Sequence, residues 1–155
     1  GSYRTPIRIT SHLADGPGNE IMIKSITIQT AHLNEILKGI NADIPNESCG
    51  LIAGKGHSSV KVFPILNILQ SPVRYQMDPE KQIRALIEIE DEGLDLLAIY
   101  HSPPNGPAVP SPTDIAEAMY PDSVYLIFSP GKKKWISRGF IINREDVREV
   151  QIIVK

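Results

Sequence analysis

The run Leu96-Leu97-Ala98-Ile99-Tyr100 leads without a polar interruption into His101, and five prolines then crowd positions 103 to 112. A strand that alternates apolar and polar residues can face water on one side, but one that is apolar throughout has to be covered on both. The chain must therefore build a sheet with material packed above and below it. Each proline lacks an amide donor and fixes its φ, so no helix or ladder strand runs through the segment from Pro103 to Pro110. Regular structure restarts at Ser111-Pro112-Thr113-Asp114. Serine at an N-cap, proline at the first helical position and an acid three residues after the cap make a helix start.

The flanking segments supply the rest of the sheet and its covering layers. Residues 21–28 have strand-like isoleucine spacing, and Thr30 is positioned to cap a helix whose apolar face is Leu33, Ile36, Leu37 and Ile40. Glu47 stands just before Cys49-Gly50-Leu51-Ile52-Ala53-Gly54, a buried type of strand whose glycines predict close backbone approach or a bulge. A hairpin turn at 55–59 leads to a strand over 60–68, which Pro64 places at an edge or a bulge; residues 69–77 are loop. Asp78-Pro79 opens a helix to about residue 91, with Ile83, Leu86 and Ile87 predicted toward the core and Glu80, Glu88, Glu90, Asp91 and Glu92 toward water. A short helix over 112–120 and strands over 123–129, 135–143 and 147–154 complete the chain. The order predicts an α/β fold, a three-layer-like sandwich of a mixed, largely antiparallel sheet with flanking helices. Residues 1–20 read as an irregular N-terminal arm that starts with an expression scar, Gly1-Ser2, and 21–155 as one domain.

A net charge of −2 excludes a sequence-independent nucleic-acid binder, which needs a clustered positive excess. The one basic run, Lys132-Lys133-Lys134, reads as a solvated hairpin tip. No apolar run reaches the roughly 18–20 residues of a membrane span. Cys49 is the single cysteine, so no internal disulfide forms and a reducing, cytoplasmic setting is expected. Cys49 reads as a small core residue, and His12, His32 and His57 as surface histidines.

The stretch from His101 to Asp114 supports two chemical readings. In one, Ser111 and Asp114 only cap a helix and His101 is a core histidine. In the other, a histidine at a strand end and an aspartate in the first turn of the facing helix point into one cleft as metal ligands. Catalytic zinc takes three protein ligands drawn from His, Asp and Glu and keeps a fourth position open. Glu47 then supplies a general base and Ser111 a hydroxyl donor, provided that the strand entered at Glu47 lies beside the strand ending at His101.

Glu47 with Cys49 to Gly54, Tyr100-His101-Ser102 with Pro104, Pro110 to Asp114, Tyr120-Pro121-Asp122 and Tyr125-Leu126-Ile127 together resemble the JAMM, or MPN-plus, metallopeptidases, in particular their small single-domain bacterial branch. The resemblance covers residues 24–154 in order and spacing. It implies the JAMM/MPN, cytidine-deaminase-like fold and a hydrolase dependent on one zinc ion that cleaves peptide or isopeptide bonds at the C-terminus of a ubiquitin-like or sulfur-carrier protein. It further implies that His101 and Asp114 are zinc ligands, that Glu47 is the general base passing a proton from water to the leaving amine, and that Ser111 stabilises the oxyanion.

One position departs from the family pattern. Where the family carries its second histidine ligand this chain has Pro103, which offers no side-chain donor. Losing a partner of a metal ligand costs about 10–100-fold in metal affinity, and losing a ligand itself costs at least as much. The expectation is weakened zinc binding, and the alternative is a metal-free binding or scaffold domain that holds a ubiquitin-like tail in the same cleft.

Overall fold

The computed structural model describes residues 22–155. The arm over 1–20, with His12, lies outside the described residues. The elements are β1 (Ser25–Ile28), α1 (Thr30–Asp43), β2 (Cys49–Lys55), β3 (Ser58–Ile65), α2 (Pro79–Asp91), β4 (Asp95–His101), α3 (Pro112–Glu117), β5 (Val124–Pro130), β6 (Trp135–Asn143) and β7 (Asp146–Val154). The strands follow one another around a closed sheet in the order β1-β3-β2-β4-β5-β6-β7. The pairs β2–β3, β2–β4, β5–β6 and β6–β7 are antiparallel, whereas β4–β5 and both pairings of β1 are parallel. This is the mixed, largely antiparallel sheet expected. Closure depends on β1, which pairs with β7 over four positions and meets β3 at Thr27–Ser58.

The apolar run of β4 is covered on both sides. Ala98 and Tyr100 belong to a core that α1 closes with Ile36 and Ile40. Ile99 belongs to a second core shared with Met77 and Ala85, against which Leu86 of α2 and Ile115 of α3 pack. In β5, Val124, Leu126 and Phe128 face the first core and Tyr125 and Ile127 the second. The two-residue period of extended chain thus makes three layers, with α1 on one side of the sheet and α2 and α3 on the other. Gly50 is glycine because any Cβ there would run into the ring of Tyr100, its cross-strand neighbour. The β2 ladder also shifts register beside Ala53, so both reasons for glycine in this strand apply.

Several boundaries differ from the sequence reading. Thr30 is the first residue of α1; the N-cap is Gln29, with no side-chain cap. The Gln29 N–H instead donates to Ser59 Oγ at 2.9 Å, tying the helix start to β3. Strand β1 begins at Ser25 and β3 ends at Ile65. Pro64 lies on β3 beyond its contact with β1, at a free edge, as expected. The helix at 112 stops at Glu117, because the Met119 and Tyr120 N–H groups turn to Tyr125 Oη at 3.0 and 3.1 Å.

The largest correction concerns α2. Ile83 and Ile87 are 57% and 53% exposed, and the buried residues are Ala85 and Ile89. Residues two apart on a helix lie on nearly opposite sides. With apolar residues at 83, 85, 86, 87 and 89, two stripes compete, and the one carrying small Ala85 lets the helix approach the sheet closely.

Candidate functional site

Strand register brings Glu47 and His101 to one face. Cys49 pairs with His101 across β2–β4. The ladder continues past both strand ends: Ser102 N–H donates to the Ser48 carbonyl at 3.1 Å, and Ser48 N–H to Ser102 Oγ at 2.9 Å. Cys49 and Ile99 share the second core. Glu47 is two residues before Cys49 and His101 two after Ile99, so both fall on the side of α2 and α3. Both are buried, at 4% and 3% exposure.

The opposite wall is the start of α3. Ser111 is the N-cap and Asp114 completes a capping box. Asp114 N–H donates to Ser111 Oγ at 3.0 Å, and Ser111 N–H donates to Asp114 Oδ2 at 2.8 Å. The same Oδ2 lies 3.2 Å from His101 Nε2. The helix cap and the contact with His101 therefore share a single carboxylate oxygen. Tyr75, from the loop between β3 and α2, stacks on the His101 ring with centroids 4.6 Å apart and planes at 21°. Glu47, His101, Ser111 and Asp114 line one cleft of about 540 Å³, with Tyr75 and Pro103 in its walls.

Burial pushes the Glu47 carboxyl up to about 7; His101 pulls it down and the Asp114 charge pushes it further up. A carboxyl held near neutrality can both take and give a proton. At Asp114, burial also acts upward, but the hydrogen bond and charge of His101 and the contacts from Ser111 together outweigh it, and the carboxyl stays below its usual range. Burial drives the Cys49 thiol up to about 12, with Asp43 and Glu47 adding to the effect, so it carries no thiolate chemistry.

The donor geometry suits a metal ion. Two ligands on a tetrahedral zinc, each about 2.0–2.1 Å away, stand roughly 3.3 Å apart, close to the 3.2 Å between His101 Nε2 and Asp114 Oδ2. Among the described residues, buried Glu47 Oε1 and His101 Nδ1 have no protein hydrogen-bond partner. Also among the described residues, no cluster of three His, Cys, Asp or Glu side chains forms. Position 103 presents only a proline ring to the cleft. The residues present fit a metal as a two-ligand site, one short of the usual catalytic set.

Sequence reasoning missed Tyr75, in a segment that reads as loop, and Asn67, which falls in the strand expected over 60–68 but lies two residues beyond β3. Their roles arise from the chain folding back between residues 66 and 78. Ser102 was visible within its motif, but not its bond to Ser48.

A family model described as prokaryotic homologs of the JAB domain matches residues 29–140. A desampylase of Pyrococcus furiosus is 32% identical over 139 residues, 88% of this chain and 96% of that protein. A probable TtuB-protein conjugate cleaving protease of Thermus thermophilus is 45% identical over 97 residues, 62% of this chain and 64% of that protein. A solution structure of a protein from Desulfitobacterium hafniense is similar with a TM-score of 0.74 and 35% identity, over 84% of this chain and 92% of that one. The matched span contains every residue that lines the cleft, and the chain belongs to the prokaryotic JAB-domain family.

Proposed function

We propose that this protein is a cytoplasmic hydrolase of JAMM type, cleaving peptide or isopeptide bonds at the C-terminus of a ubiquitin-like or sulfur-carrier protein. Zinc would be held by His101 and Asp114, and more weakly than in a three-ligand site because of Pro103. The observation that carries the reading is Glu47, buried with an unpartnered Oε1 beside the His101–Asp114 pair and titrating near neutrality. A metal-free cleft has no evident use for such a carboxylate. The relatives support the substrate class, since one is named for cleaving a protein conjugate and the other as a desampylase.

The metal, when bound, supplies Lewis-acid polarisation of the scissile carbonyl and lowers the pKa of water. The chain's own residues do the rest. Glu47 takes a proton from the attacking water at its carboxylate and returns it to the leaving amine as the carbon–nitrogen bond breaks. Ser111 Oγ accepts from Asp114 N–H and keeps its own proton to donate toward the carbonyl oxygen as charge develops there. Asp114 fixes the orientation of His101, and Tyr75 shields one face of that ring from water.

Pro103 motivates a second reading, a metal-free binding domain that retains a ubiquitin-like tail without cutting it. Zinc per chain, measured after purification without chelator, separates the two. Substoichiometric zinc is expected in the protein and a near-full complement in Pro103→His. Zinc in neither form would favour the binding domain, and full zinc in both would show that Pro103 does not weaken the site. With zinc present, a sulfur-carrier protein extended beyond its terminal glycines should be cleaved. Glu47→Gln should slow that cleavage by about 10²–10⁴-fold.

A further inference from the structure

We propose that Asn67 is the positioning residue that sets both Glu47 and Tyr75 against His101. The inference rests on the hydrolase reading for its kinetic consequence and on geometry alone for its structural one. Asn67 lies two residues beyond β3 and is 6% exposed. Its amide makes four hydrogen bonds, all to backbone. Nδ2 donates to the Glu47 carbonyl and to the Arg74 carbonyl, each at 3.1 Å. Oδ1 accepts from Leu69 N–H at 3.1 Å and from Gln76 N–H at 3.0 Å. Two carbonyls on one side and two N–H groups on the other fix which end of the amide faces which.

The partners are the two sides of the site. Glu47 precedes β2 and lies outside its ladder, so strand pairing does not hold it. Its N–H donates to the Ser71 carbonyl at 2.9 Å and its carbonyl accepts from Asn67, so one segment grips it from both ends. Arg74 and Gln76 flank Tyr75, whose ring covers His101. Asn67 thus fastens the backbone of the base and the backbone on either side of the aromatic wall with one side chain. Truncating it takes a donor from the buried Glu47 carbonyl and from the part-buried Arg74 carbonyl and frees both groups to drift. A displacement of about 1 Å at a reacting group costs on the order of 100-fold in rate.

The test uses Asn67→Ala and Asn67→Asp in the full chain. The aspartate keeps the oxygens that accept from Leu69 and Gln76 but removes both donors, and it serves if the alanine variant does not fold. Proton NMR of the histidine rings reads the geometry directly. Among the chain's four histidines, His101 is the one stacked on a tyrosine among the described residues, and the ring current moves its signal upfield. Tyr75→Leu identifies that signal by abolishing the shift. In both Asn67 variants the signal is expected to lose its upfield position, while kcat falls about tenfold or more with KM unchanged. Asn41→Ala, which removes the hydrogen bond from Trp135 far from the cleft, should leave the signal in place. A folded Asn67 variant with the His101 signal where the parent has it would overturn the inference. Absence of hydrolysis by the parent protein counts against the hydrolase reading, and the NMR comparison still decides the role of Asn67.

Discussion

Replacing Glu47 with glutamine is expected to move activity and stability in opposite directions. Burial, ahead of the opposing pull of His101 and the push from Asp114, takes this carboxyl from 4.5 to about 7 in the fold. A folded-state pKa above the unfolded one means that the fold favours the protonated form. The associated stability is fully present below 4.5, is lost as pH rises from 4.5 to about 7, and changes no further beyond that. At 1.36 kcal/mol per pKa unit, ionised Glu47 costs the metal-free protein about 3 kcal/mol near pH 8. Glu47 is 4% exposed but lines an open cleft, so solvent screening makes this an upper bound. Glutamine keeps the shape and removes the charge. At about 2–4 °C per kcal/mol for a chain of this size, Glu47→Gln should melt roughly 6–12 °C higher near pH 8 and almost level with the parent near pH 4.5. The assay is thermal unfolding followed by circular dichroism in the presence of a chelator, at both pH values. An equal shift at the two pH values would refute the reasoning, because a packing effect does not titrate. A loss of stability near pH 8 would refute it outright.

Three further outcomes follow from the same geometry. Ser111→Ala removes the acceptor for Asp114 N–H and should cost about 1 kcal/mol in urea unfolding, with activity falling as the hydroxyl donor is lost. Cys49 is 2% exposed with its thiol pushed up to about 12, so a thiol reagent near pH 8 should label the unfolded chain and leave the folded one unmodified over the same period. Gly50→Ala puts a methyl group into the Tyr100 ring and should destabilise the fold by about 1–3 kcal/mol, whereas Gly56→Ala, at a φ of +60° with open space around it, should lose stability through backbone strain alone.

The parts of the fold that were legible in the sequence are those with a strong local cause. The unbroken apolar run of β4 required layers on both sides, and the cores above and below it are those layers. Asp78-Pro79 and Ser111-Pro112 marked helix starts, and both helices begin there. The buried face of α2 was not legible, because two apolar stripes of equal period compete and only contact with the sheet chooses Ala85 and Ile89 over Ile83 and Ile87. Closure of the sheet by β1 was hidden for a similar reason: parallel pairing with β7 joins residues more than a hundred positions apart and leaves no local mark. In the site, Glu47, His101, Ser111 and Asp114 were legible as residues, but their convergence followed only from the pairing of Cys49 with His101. Tyr75 carried no pattern, and Asn67 read as part of a strand that in fact ends at Ile65, since the role of a connecting segment is set by what it folds against.

The cleft is held together by bonds that do not pass through a metal. The capping box fixes Asp114, the β2–β4 ladder with its Ser48–Ser102 extension fixes His101, and the Asn67 network fixes Glu47 and Tyr75. The turn that follows Pro103 is anchored in the same way, with Ser129 Oγ donating to the Gly106 carbonyl at 2.6 Å. A site whose ligands were ordered only by the ion would lose its shape when one ligand was lost, and its remaining residues would have no common geometry to keep. Here each remaining residue has its own support, so exchanging one side chain at position 103 changes the donor count without rebuilding the cleft. It is for this reason that Pro103→His is expected to raise zinc loading in a single step, and that the melting temperature of the present chain should respond only weakly to a chelator.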